Sequence, residues 1–84
     1  MKLEIYKAVN DYYLRIGGAI DYKIAEILNI PIEEYNQILI DNGAHRILYL
    51  NDEIDIGYEF RKRSDAEAAI KTLEPYLIMI KLTE

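Results

Sequence analysis

The sequence predicts an α+β fold in which an N-terminal three-helix unit is followed by a three-stranded antiparallel sheet with one packed helix. Three observations predict it. Apolar residues recur at helical spacing up to Leu39, the period shifts from 3.6 to 2 after Gly43, and an almost continuously apolar run follows Pro75. The 84 residues are 51% apolar and 30% charged, with Gly 4 and Pro 2, which suits one ordered globular domain over 1–84. No linker, repeat or low-complexity segment interrupts it. A core of this size lies near the lower limit of what folds alone, so a homodimer or a partner is a normal way to add buried surface.

The first helix is expected over 3–16. Ile5, Val9, Tyr12 and Ile16 fall at helical spacing, and Glu4, Lys7, Asp11 and Arg15 follow one another at i+3 or i+4 on the opposite side. A hairpin turning at Asn10-Asp11 competes, because Leu3, Ile5 and Lys7 also alternate with their neighbours; the charge ladder favours the helix. Gly17-Gly18 ends the segment. Asp21 can cap a second helix carrying Ile24, Ile27 and Leu28, and Asn29-Ile30-Pro31 breaks it. A third helix follows with Glu33 and Glu34 in its first turn, Tyr35, Ile38 and Leu39 as its stripe, and Asn42-Gly43 as its end.

Residues 46–50 then read as a buried strand. From Glu53 to Phe60 every even position is apolar and every odd one acidic except Gly57, so Ile54, Ile56, Tyr58 and Phe60 are expected to face the core. Asn51-Asp52 is the expected hairpin connection. Ser64 or Asp65 can cap a helix over 65–74 with Ala66, Ala69, Ile70 and Leu73 inward, which Pro75 stops. The run 76–82 reads as a central strand.

Composition removes much chemistry. The chain has no cysteine, which excludes disulfides and thiolate sites and suits a reducing cytoplasm. No apolar run approaches the roughly 20 residues of a membrane span, and the N-terminus lacks the apolar stretch of a signal peptide. With one histidine and one serine, the usual nucleophile and base combinations cannot be assembled, so no enzyme and no cofactor is expected. His45 follows the end of a helix and reads as a structural or surface histidine. No D-x-D-x-D-G loop or H-E-x-x-H is present, and no metal site is expected.

The stretch from Ile24 to Leu39 resembles a helix-turn-helix. Ala25 stands where two helices approach closely, Asn29 at the turn, Ile30 in the turn's core position, and Tyr35 and Ile38 anchor the second helix. With a hairpin after it, the outline is similar to a winged helix. The remainder, from Tyr58 through Tyr76, is similar to the C-terminal halves of small accessory proteins of phages and mobile elements in low-GC bacteria. The resemblance implies Asn36 and Gln37 against adenine edges in a major groove. Against that, Glu33, Glu34 and Asp41 decorate the reading helix, and no Lys or Arg lies between Lys23 and Arg46. Only Arg61, Lys62 and Arg63 could supply phosphate contacts, and a solvated loop that also caps a helix dipole is the favoured reading of them.

The net charge of −5 points away from nucleic acid and anionic membrane. Glu53, Asp55 and Glu59 share one strand face at about 6.5 to 7 Å spacing, near the phosphate spacing of a nucleic-acid strand. Asp52 extends the row and Tyr49 can anchor beside it; charges that only keep a strand soluble are the other reading. Resemblance and row together predict a non-enzymatic cytoplasmic protein-binding module of a phage or mobile element that inhibits a host nucleic-acid-handling machine, as anti-CRISPR proteins do. Its partner would be a host protein or ribonucleoprotein with a basic nucleic-acid groove. A winged-helix DNA-binding regulator and a phage structural or assembly protein are the alternatives.

Overall fold

The computed structural model describes the backbone of residues 2–50 and 54–83, and side chains over 2–48 and 56–80. In chain order it contains β1 (Leu3–Ala8), β2 (Asp11–Ile16), α1 (Tyr22–Leu28), α2 (Ile32–Asp41), β3 (His45–Leu50), β4 (Ile54–Glu59) and α3 (Arg63–Thr83). The expected order of three helices, a three-stranded sheet and one packed helix is therefore overturned. Two antiparallel hairpins, β1–β2 and β3–β4, share one layer, and the helices cover its inner face.

Residues 3–16 form a hairpin because their apolar residues satisfy a period of 2 better than one of 3.6. Leu3 opposes Ile16 and Ile5 opposes Leu14, which places these four on the helix-covered face. The charge ladder that suggests a helix has a second geometric solution, since Glu4 and Arg15 are direct cross-strand partners. The turn falls at Val9-Asn10, one residue earlier than the competing reading places it, and Val9 takes a φ of 53°. A β-branched residue there is strained, which is why the turn carries no recognisable sequence signal. Val9→Gly is expected to stabilise the domain by about 1 kcal/mol, read by urea denaturation, because relief of strain exceeds glycine's added unfolded-state freedom.

The helical pair α1–α2 lies where its sequence pattern places it. Asn29 adopts the left-handed conformation at the end of α1 (φ 56°), and its N–H donates back to the Ala25 and Glu26 carbonyls. Asp21 stands at the start of α1 but makes no side-chain cap; its Oδ1 instead accepts the Tyr58 N–H at 3.4 Å. Ile24, Leu28, Tyr35 and Leu39 are fully enclosed. Burial, and secondarily the Asp21 carboxylate, push the Tyr35 hydroxyl well above its ordinary value. The native state therefore holds this proton more tightly than the unfolded chain does. Its contribution is fully present at neutral pH, and stability is expected to fall by up to about 1.4 kcal/mol per pH unit above about pH 10. Urea midpoints between pH 8 and 11 check this, with Tyr35→Phe flattening the slope.

Phe60, just past β4, joins the two hairpins. Tyr12 N–H donates to the Phe60 carbonyl and Phe60 N–H to the Tyr12 carbonyl, each at 2.7 Å. That single antiparallel bridge sets β4 beside β2, and the Phe60 ring is completely buried beneath it.

The chain does not return as a strand after Pro75. Helix α3 runs through it, with Ala66, Ala69, Leu73 and Leu77 buried at helical spacing against β1, β2 and the other helices. A continuous apolar run cannot by itself distinguish a buried strand from the end of a helix, and here Ile78 and Met79 project outward. Pro75 is exposed, so its ring does not disturb the core-facing stripe. It still removes one intrahelical hydrogen bond, and Pro75→Ala is expected to stabilise α3 by up to about 3 kcal/mol, with a gain in helical circular dichroism. Among the described residues no helix is long and apolar enough to cross a membrane.

Candidate functional site

Hairpin β3–β4 is less closely covered by the helices than β1–β2, against which α3 packs. Its inner face is defined by register: Arg46 opposes Tyr58, and Leu48 opposes Ile56. The even positions of β4 are thus core at one end and surface at the other. Phe60 is fully buried and Tyr58 half-buried, whereas Ile56 is 44% exposed and its partner Leu48 61%. The expectation that Ile56 is core is corrected: the helices that face it, α1 and α2, stand off from the strand and do not close over its side chain. Across from it, a cleft of about 240 Å³ is lined by Asp21, Tyr22, Ile32, Asn36, Ile56 and Tyr58. Tyr22 is exposed, as is Ile40 one turn along α2 from Asn36. Ile56 and Tyr22 are thus exposed apolar members of the cleft's lining, and Leu48 is exposed beside Ile56 on β3.

Strand β3 is also an edge. Among the described residues it pairs only with β4, and its sequence, HRILYL, places its one Arg and one His at the end nearest α2. An apolar strand with a free hydrogen-bonding edge invites a further strand.

The acidic row expected along β4 is not a single exposed face. Glu59 is buried, 8% exposed, where the two hairpins meet. Asp52 and Glu53 lie outside the described residues, as do the side chains of Tyr49 and Asp55. The row loses its inner end because Glu59 is next to the Tyr12–Phe60 bridge and points to the face opposite Phe60. The residues expected to read DNA are not assembled into one surface. Asn36 is half-buried in the cleft, and Gln37 donates to Asp41 Oδ1 on its own helix at 2.8 Å. Arg61 and Lys62 are exposed before α3, and Arg63 pairs with Glu67 at 3.3 Å on the helix surface.

Glu59 meets two residues that sequence spacing does not connect. Asp11 opens β2, His45 opens β3, and Glu59, which ends β4, is the cross-strand partner of His45. His45 Nε2 lies 3.1 Å from Asp11 Oδ2, and one ligand atom from each of the three residues lies within 4.8 Å of the others. No local motif could reveal this cluster, since each member comes from a different strand; the acidic alternation that identifies Glu59 suggests exposure instead.

Two other surfaces stand out. The uncovered sheet face holds Tyr6 and Tyr13 with ring centroids 5.9 Å apart and the Arg15 guanidinium 4.4 Å from the Tyr6 ring. At the far end of α3, a cleft of about 380 Å³ lies against the α1–α2 turn and is lined by Leu28, Ile30, Pro31, Met79 and Ile80 among others. Tyr76 hydroxyl donates to Glu34 Oε1 at 2.9 Å beside it, tying α3 to α2, and this bond raises the Tyr76 hydroxyl's proton affinity. No protein-family model, curated protein or solved structure matches this chain.

Proposed function

We propose that this chain is a non-enzymatic protein-binding module whose contact surface is the less covered end of hairpin β3–β4. The observation that carries the proposal is the cross-strand pair Leu48–Ile56, both exposed, on a hairpin whose β3 edge pairs with nothing further among the described residues. An extended segment of a partner protein adds to β3 as a further strand: its backbone supplies affinity, and alternate side chains settle against Leu48, the β3 residue paired with Ile56. The net charge of −5 supports a partner of basic character, such as a protein or ribonucleoprotein that handles nucleic acid. Moderate salt leaves the apolar contact in place while screening the steering charge.

Selection from a displayed random-peptide library tests this, because such a library samples extended segments of every side-chain chemistry. Enriched peptides are expected to alternate apolar and polar residues with Lys or Arg at their ends, and to bind Leu48→Asp far more weakly than the unaltered chain. Peptides that bind both proteins equally would remove hairpin β3–β4 as the contact surface.

A further inference from the structure

We propose that Asp11, His45 and Glu59 form a binding site for a first-row divalent cation, with Zn²⁺ as its preferred occupant, at the seam between the two hairpins. The three side chains come from β2, β3 and β4 and converge to within 4.8 Å. Around a zinc ion with bonds of about 2.0–2.2 Å, neighbouring ligand atoms stand roughly 3.0–3.5 Å apart. The pair His45 Nε2 and Asp11 Oδ2 already meets that spacing at 3.1 Å. Glu59 is largely removed from solvent, and its strand position is fixed on both sides: it pairs with His45 in the β4 ladder and adjoins the Tyr12–Phe60 bridge. Binding draws the Glu59 carboxylate in from within 4.8 Å of the other two ligand atoms.

The donor set selects the ion. One imidazole nitrogen with two carboxylate oxygens suits zinc, cobalt or manganese, whereas magnesium and calcium prefer all-oxygen shells. Three protein ligands leave at least one coordination position for water. A cation here clamps β2 to β3 and β4 at the seam that the Tyr12–Phe60 backbone bridge and the His45–Asp11 ion pair also span.

Isothermal titration of the full chain with Zn²⁺ tests the site, with Co²⁺ as a spectroscopic probe and excess Mg²⁺ present throughout. The expected result is saturable 1:1 binding, visible cobalt absorption from a nitrogen and oxygen shell, and a rise in melting temperature with zinc. His45→Gln and Asp11→Asn, each shown to be folded by circular dichroism, are expected to weaken zinc binding at least about tenfold and to abolish the cobalt bands. Glu59→Gln joins them if it folds, and the other two variants decide the matter if it does not. Absence of saturable binding, competition by Mg²⁺, or affinity unchanged in His45→Gln would each overturn the proposal.

Discussion

Phe60→Ala is expected to cost about 3–5 kcal/mol, the range for deleting a large aromatic side chain from a closed core. For a domain of this size, total stability is of the order of 5–10 kcal/mol, so most of the margin goes. Phe60 combines complete burial with the only backbone bridge between β2 and β4 among the described residues, so the cavity opens where the two hairpins meet. Ile56→Ala, four residues earlier on the same strand face, is expected to cost less than about 1 kcal/mol because the side chain is already half in solvent. Urea denaturation of the two variants side by side checks both values. Similar losses in the two would mean that hairpin β3–β4 is covered along its length.

The largest functional effect is expected from Leu48→Asp combined with Ile56→Asp. Charges introduced on opposed strand positions remove the apolar contact and repel one another, so partner affinity is expected to fall by a hundredfold or more, about 3 kcal/mol. Stability is expected to fall by only about 1 kcal/mol, since both side chains are exposed and the cost is mainly that of opposed like charges. Neutralising Asp52, Glu53 and Asp55 is expected to slow association and reduce its salt dependence while leaving the dissociation rate nearly unchanged. Surface plasmon resonance with a selected peptide separates these effects. A larger loss from the acidic variant than from the Leu48, Ile56 variant would restore an acidic surface as the site.

What can be read from residues alone follows from which physical signals are unambiguous. The α1–α2 pair is legible because Pro31, the acidic first turn of α2 and the Tyr35, Leu39 stripe all agree on one structure. Strand β4 is legible through its alternation. The first hairpin is not, because its turn uses Val9 at positive φ instead of glycine, and because Glu4 and Arg15 are complementary either along a helix or across two strands. The end of α3 is hidden because Pro75, a strong helix breaker, is tolerated on the exposed side of a helix whose other side is anchored by Leu73 and Leu77. The candidate surface is half visible: alternation identifies Ile56 as apolar, but only how closely the helices approach decides that it stays uncovered. The Asp11, His45, Glu59 cluster emerges only when the two hairpins are placed side by side.

Amide hydrogen exchange of the chain, free and bound to a selected peptide, tests strand addition most directly. Binding is expected to protect alternate backbone amides of β3, those that do not donate to β4, while amides around Met79 at the end of α3 exchange as in the free protein. Protection confined to α3 and the α1–α2 turn, with β3 unchanged, would contradict it.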